Sequence, residues 1–208
     1  MPIFDLTLPL DPSTPLYPGD PPFELDMYRR LSAGDSSNNS RLHMGTHNGT
    51  HIDAPIHFIE GGGTVESIPP ESLVGPCLLV DVGDAEMITR EVLERFDLAG
   101  RERLLFRTKN SEWIGQRFQE KFVAFSGDGA RYLAGLHPVL VGIDAPSLDV
   151  RGAVGHPAHM AILGSSTIRG AIEWLQPSGI EPGEYELFCG PLRIPAAEAA
   201  PCRVFLRR

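Results

Sequence analysis

The chain has 208 residues, of which 42% are hydrophobic and 22% are charged, and its net charge is −9. This size and composition suit one domain with a buried core, and the negative charge disfavours binding to nucleic acid or to anionic membrane surfaces. No apolar run approaches the roughly 20 residues that a membrane span needs, so we expect no membrane partner.

Proline and serine are frequent in the first 40 residues, which contain the stretch DPSTPLYPGDPPF. We expect residues 1–40 to form an extended arm with turns. Short β-type runs then predict strands at 76–83, 103–108, 138–144, 185–194 and 202–208. Helix-like patterns lie at 88–100, 112–122 and 126–137, the last with Ser126 as a helix cap. This alternation predicts an α/β fold with a mixed sheet or small barrel and packed helices.

The three cysteines, Cys77, Cys189 and Cys202, are far apart and form no CxxC pair. Buried free thiols in a reducing cytosol are the expectation for such a set. The N-terminal sequence MPIFDLTLPL lacks the basic start of a secretory signal. Both observations favour a cytoplasmic protein.

The segment HNGTHIDAPIH, residues 47–57, holds three of the seven histidines of the chain together with Asp53. His47, His51, Asp53 and His57 all have odd numbers, and alternate residues of an extended strand share one face. Pro55 disfavours a helix here. We therefore predict a strand with bends that directs several of these side chains toward one point. His43 also has an odd number, but a structural role is favoured for it.

Imidazole and carboxylate groups in one segment favour a divalent transition metal such as zinc, manganese, iron or nickel. No cysteine lies nearby, which disfavours a closed structural zinc site of the finger type. Few protein ligands would leave open positions for water, as hydrolytic chemistry requires. The sequence thus predicts a catalytic metal site.

The same segment resembles the signature H-x-G-T-H-x-D-x-P-x-H-F of the cyclase-like metal-dependent hydrolases, a family that includes bacterial kynurenine formamidase (arylformamidase) and isatin hydrolase. Most of the chain shares the resemblance. The similar segments are TPLYPGDPPF at 14–23, LLFRTKNS at 104–111, LVGIDAPSLD at 140–149, AHMAILG at 158–164 and IEWL at 172–175. Ala145 stands where the family usually has a hydroxyl residue.

The resemblance implies roles for six residues. His47, His51 and Asp53 would be metal ligands, with Asp53 bridging in two-metal members, and His159 and Glu173 would complete a second site. His57 would be the catalytic histidine, beside the metal without binding it. The cofactor would be one or two divalent ions per subunit, Zn²⁺ in preference to Mn²⁺. His156 competes with His159 for the late ligand position, and Trp174 replaces the residue usual after the glutamate.

The resemblance also implies a single swivelling β/β/α-type domain over residues 1–208, and a homodimer or homotetramer in which the arm contacts a partner subunit. The expected activity is metal-dependent hydrolysis of an amide substrate, first of all N-formylkynurenine to kynurenine and formate. An isatin hydrolase-like or other cyclic amide or lactone hydrolase is the alternative. From other classes, a non-haem iron oxygenase, which would have an all-β core, or a non-catalytic metal-binding protein is also considered.

Several further residues are open to two interpretations. Four aromatic residues are candidates for a substrate pocket or for simple core packing: Tyr17, Phe23, Phe58 and Trp113. Asp144 is expected either to support a metal ligand or to cap a turn.

Overall fold

The computed structural model describes all 208 residues and contains ten strands and four short α-helices. The strands are β1 (Ile3–Asp5), β2 (Glu24–Arg29), β3 (Asn39–His43), β4 (His51–Asp53), β5 (Val74–Asp81), β6 (Arg103–Arg107), β7 (Leu140–Ile143), β8 (Gly170–Glu173), β9 (Gly183–Pro191) and β10 (Ala199–Arg207). The helices are α1 (Pro70–Leu73), α2 (Arg90–Leu93), α3 (Gly127–Gly135) and α4 (Pro157–Leu163). None of these helices has the length and apolar character needed to cross a bilayer.

Eight strands form one sheet in the order β1-β10-β4-β8-β7-β6-β5-β9. Because β10 also pairs with β9, the sheet closes into a barrel that leaves only β1 outside the ring. The run β5-β6-β7-β8 is parallel, and the other pairings are antiparallel. The predicted α/β class with a mixed sheet or small barrel is confirmed.

Side-chain alternation along the strands divides the apolar residues into two cores. In β5, Leu79 belongs to the cluster inside the barrel, and Val80 belongs to the cluster between the sheet and helices α2 to α4. The interior cluster also holds Cys77, Cys189 and Cys202, all buried and free, as expected.

The five predicted strands are present as β5, β6, β7, β9 and β10, with ends shifted by up to three residues. The helix predicted at 126–137 is α3, and Ser126 caps it, since its Oγ accepts a hydrogen bond from the Gly129 N–H (3.1 Å). The helix predicted at 88–100 is reduced to α2, which follows the cap residue Thr89.

The helix predicted at 112–122 is wrong. The chain there forms a 3₁₀ turn at Lys109–Glu112 and then an irregular loop in which Gly115 has φ +86°. The Asn110 side chain hydrogen-bonds both the N–H and the C=O of Val123 (2.9 and 2.8 Å). These long-range bonds replace the local bonds that a helix would form.

The arm is partly regular. Strand β1 pairs antiparallel with β10, with Phe4 opposite Leu206. Strands β2 and β3 form a separate two-stranded hairpin, and its cross-strand pair Leu25 and Leu42 is exposed to solvent.

Candidate metal centre

Five elements bring the candidate residues together. His51 and Asp53 lie on β4, Glu173 lies opposite His51 on β8, and His159 lies on α4. His47 precedes β4, and His57 ends a 3₁₀ turn that follows it. As the parity predicted, His51 and Asp53 share one face of the strand, while Ile52 between them packs into the barrel.

Asp53 is the centre of the cluster. Its Oδ1 lies 3.0 Å from His47 Nδ1 and 3.2 Å from His51 Nε2, and its Oδ2 lies 3.7 Å from His159 Nε2. The residue is fully buried, yet neither carboxylate oxygen accepts a hydrogen bond of good geometry. A buried carboxylate that accepts no hydrogen bond is costly, so these two oxygens are suited to a bound cation.

Glu173 completes the second half of the cluster. Its Oε1 lies 3.2 Å from His159 Nε2, and its Oε2 lies 3.5 Å from His51 Nε2. The N–H of Leu148 donates to Oε1 (2.6 Å) and fixes the carboxylate. The donors therefore form two overlapping groups around Asp53: His47 and His51 lie near Oδ1, and His159 lies near Oδ2 together with Glu173, which is also close to His51.

The second nitrogen of each imidazole in these groups has its own neighbour. His51 Nδ1 lies 2.9 Å from the carbonyl oxygen of Gly49, and His159 Nδ1 lies 2.6 Å from Asp149 Oδ2. His47 Nε2 lies 3.5 Å from Glu198 Oε1. Such outer contacts fix ring orientation and tautomer in metal sites, and here they leave one nitrogen of each ring for the Asp53 side.

Sequence reasoning missed Asp149 and Glu198. Asp149 ends the segment LVGIDAPSLD, in which a role was predicted for Asp144 alone. Asp144 caps a turn, because its Oδ2 accepts hydrogen bonds from the Thr108 N–H (2.8 Å) and the Ser111 hydroxyl (2.5 Å). Burial raises the pKa of Asp144 to about 7, and the Ser111 and Thr108 hydrogen bonds oppose this rise.

The two late histidines have different surroundings. His159 is buried and faces Asp53 and Glu173, whereas His156 is exposed and forms no ion pair with either carboxylate. His156 precedes α4 in a left-handed conformation (φ +45°). Its ring centroid lies 5.0 Å from that of Phe58. Of the two histidines, His159 is therefore the better candidate for the metal ligand in the C-terminal part of the chain.

A cavity of about 220 Å³ opens onto this cluster. Of the four candidate pocket aromatics, Tyr17 and Phe58 line it, and Trp174 is a third aromatic residue there. Phe58 stacks on His159 with ring centroids 4.2 Å apart and meets His57 edge-on at 4.5 Å. Phe23 and Trp113 do not line this cavity. His43 ends β3 opposite Glu24 and does not line it either.

The histidines differ in their electrostatics. Burial lowers the pKa of His51, but the charges of Asp53 and Glu173 outweigh it and raise the pKa to about 9. Burial lowers the pKa of His57 to about 4, against the attraction of Asp53 and with the repulsion of neighbouring imidazoles. His57 is therefore neutral at pH 7 and able to accept a proton.

The chemistry of the donor set suits a divalent metal. Imidazole nitrogens and carboxylate oxygens are ligands that zinc, manganese and iron accept, and both Asp53 oxygens lack a hydrogen-bond partner. His51, Asp53 and Glu173 offer ligand atoms that lie within 4.8 Å of one another. These residues fit a divalent metal.

The family model named Cyclase, with the description "Putative cyclase", matches residues 4–150. The chain belongs to the cyclase family. A kynurenine formamidase of Salinibacter ruber is 34% identical over 209 residues, which is all of this chain and 98% of the relative. The family membership suggested by the HNGTHIDAPIHF signature is confirmed.

Two solved structures share the fold. A "predicted metal-dependent hydrolase" from Bacillus stearothermophilus is 35% identical, covers 99% of this chain and 97% of its own, and superposes with a TM-score of 0.86. Isatin hydrolase A from Ralstonia solanacearum has a TM-score of 0.84 at 23% identity, covering 99% of this chain and 91% of its own. At that identity the second likeness concerns the fold alone.

Proposed function

We propose that this cyclase-family chain is a metal-dependent arylformamidase that hydrolyses N-formylkynurenine to kynurenine and formate. The observation that carries the proposal is the buried carboxylate of Asp53, whose oxygens accept no hydrogen bond and face imidazoles on both sides. The full-length similarity to a kynurenine formamidase supports the choice of substrate.

We assign the metal ligands by the two groups around Asp53. His47, His51 and Asp53 would hold one divalent ion, and His159, Glu173 and Asp53 would hold a second, with Asp53 bridging. Zn²⁺ is the expected metal and Mn²⁺ the next, because both accept this mixture of nitrogen and oxygen donors. When bound, such ions polarise a carbonyl oxygen and lower the pKa of water.

His57 is assigned as general base and acid. It borders the cavity next to the His47 ring, at a centroid distance of 4.3 Å, and its lowered pKa keeps it neutral. The neutral ring accepts a proton from the attacking water and donates it to the leaving aniline nitrogen, and such transfers contribute about 10²–10⁴-fold to rate. The Phe58 ring packs edge-on against this imidazole.

Metal analysis of the purified protein, followed by a hydrolysis screen, tests the assignment. We expect about two divalent ions per chain and rapid hydrolysis of N-formylkynurenine. Faster hydrolysis of isatin would favour the lactam alternative. Full metal loading without hydrolysis of any amide or lactone would favour a non-catalytic metal-binding protein. The iron oxygenase alternative required an all-β core, which the parallel strands and packed helices do not provide.

The chain is also proposed to act in the cytoplasm as a homodimer or homotetramer, with no nucleic acid or membrane partner. The three free cysteines support the compartment. The exposed hairpin residues Leu25 and Leu42, which lie directly opposite each other, support contact between subunits through the arm. Light scattering should give the mass of an oligomer for the wild type and a smaller mass for Leu25→Lys/Leu42→Lys. Leu192→Lys, at another exposed leucine, should leave the mass unchanged.

A further inference from the structure

One acidic residue of the cavity wall has no partner in the chain. Three carboxylates line the cavity, those of Asp20, Asp149 and Glu173. Asp149 accepts hydrogen bonds from the Ala158 and His159 N–H groups, and Glu173 accepts one from Leu148 while facing the metal cluster. The Asp20 side chain forms no hydrogen bond and no ion pair, although it is partly withdrawn from water.

Asp20 is held in place by its backbone rather than by its side chain. Its N–H donates to the Tyr17 carbonyl (3.0 Å) in a turn that contains Gly19 at φ +108°. Tyr17 packs edge-on against Phe118 at a centroid distance of 5.4 Å. On the other side, the Asn48 amide donates to the Pro21 carbonyl (2.9 Å). These contacts fix the Asp20 backbone at the cavity wall before any ligand arrives, which lowers the entropic cost of binding.

The charges of the cavity wall are unbalanced. No lysine or arginine is among its lining residues, and the two imidazoles that act on the Asp20 carboxylate, those of His47 and His51, belong to the metal cluster. A half-buried carboxylate that forms no ion pair is suited to bind an ammonium group, because a charge-assisted hydrogen bond is stronger than a neutral one.

We propose that Asp20 is a specificity-determining residue that binds a primary ammonium group on the substrate. The preferred substrate class is then an aryl formamide with an aliphatic amine on its side chain, in contrast to a simple formanilide. This inference rests on the proposed formamidase function and extends it to the part of the substrate that does not react.

Three substrates and two variants test the role of Asp20. The substrates are N-formylkynurenine, its analogue without the amino group, and formanilide. For Asp20→Asn we expect KM for N-formylkynurenine to rise about tenfold or more, with kcat within about twofold and both constants unchanged for the two amine-free substrates. Asp20→Glu should restore part of the affinity. Asp26→Asn, at an exposed acidic residue of the hairpin, is the matched control.

Two results would overturn the assignment. If Asp20→Asn lowered kcat on all three substrates, the carboxylate would serve the chemistry or the metal instead. If KM changed for none of them, it would have no role in recognition.

A binding measurement separates this inference from the proposed function. Should the wild type hydrolyse no formamide, calorimetry with zinc-loaded protein still compares kynurenine with its analogue lacking the amino group. Tighter binding of kynurenine to the wild type, lost in Asp20→Asn, supports the ammonium site even then. Equal binding of the two ligands contradicts it.

Discussion

At the scale of single residues, His57 has a different environment from the other histidines around Asp53. Burial lowers its pKa to about 4, whereas the neighbouring carboxylates raise that of His51 to about 9. We predict that His57→Ala keeps its metal content but loses about 10²–10⁴-fold in kcat, because only proton transfer is removed. Metal analysis and steady-state kinetics on the same preparation check this. Loss of metal from the variant would mean that His57 is a ligand.

Asp149 is a residue-scale test of how the His159 ring is held. Its carboxylate lies 2.6 Å from His159 Nδ1 and also accepts the Ala158 and His159 N–H groups. We predict that Asp149→Ala weakens metal binding about 10–100-fold, while Asp149→Asn, which keeps one acceptor oxygen, weakens it less. Competition with a chromophoric chelator measures both affinities. Wild-type affinity in the alanine variant would rule out the positioning role.

The raised pKa of His51 predicts how stability depends on pH once metal is removed. The value of about 9 exceeds the ordinary 6.5, and the pKa of His159 is raised as well. Their contribution is complete below about pH 6.5 and is lost as the pH rises through 9. For chelator-treated protein, we therefore expect the free energy of unfolding in urea to fall between about pH 6.5 and 9.

Zinc-loaded protein is the control for this titration, because a bound cation keeps the two imidazoles deprotonated throughout. Its stability should change much less over the same range. A flat or rising profile for the chelator-treated protein would contradict the proposed interaction of the imidazoles with the buried carboxylates.

At the scale of elements, α3 depends on a close approach to the preceding backbone. A Cβ at Gly129 would lie 2.2 Å from the carbonyl oxygen of Ile88, whereas one at Gly135 of the same helix would meet nothing within 4 Å. We predict that Gly129→Ala costs about 1–3 kcal/mol or more, and that Gly135→Ala is neutral or stabilising by up to about 1 kcal/mol. Urea unfolding of the two variants measures the change in the free energy of unfolding. Equal changes would show that the close contact between Gly129 and Ile88 does not determine the stability of α3.

The elements also show which parts of the site could be predicted from sequence. The spacing of two residues was enough to predict that His51 and Asp53 lie on one face, because alternate side chains of a strand point to the same side. The alignment of His51 with Glu173 could not be foreseen, since it depends on the pairing of β4 with β8 over a long separation. The resemblance to the family supplied His159 and Glu173, but neither pattern nor resemblance indicated the contacts of Asp149 and Glu198.

At the scale of the whole molecule, the site depends on closure of the barrel. Strand β10 pairs with β4 through Ala199–Pro201 and with β9 through Cys202–Arg207, and so joins the ends of the sheet. Local patterns predicted strands β5, β6, β7, β9 and β10 and the α/β class, but the closure is a long-range event that no local pattern encodes. The helix predicted at 112–122 was wrong for the same reason. The backbone of Val123 is held by hydrogen bonds to the Asn110 side chain, which lies 13 residues earlier in the chain.

Anomalous X-ray diffraction from crystals grown with excess zinc tests the metal assignment most directly. We predict two peaks that share Asp53, one next to His47 and His51 and the other next to His159 and Glu173. Crystals without an anomalous peak at Asp53, in which these imidazoles and carboxylates contact only one another, would contradict the proposed metal centre.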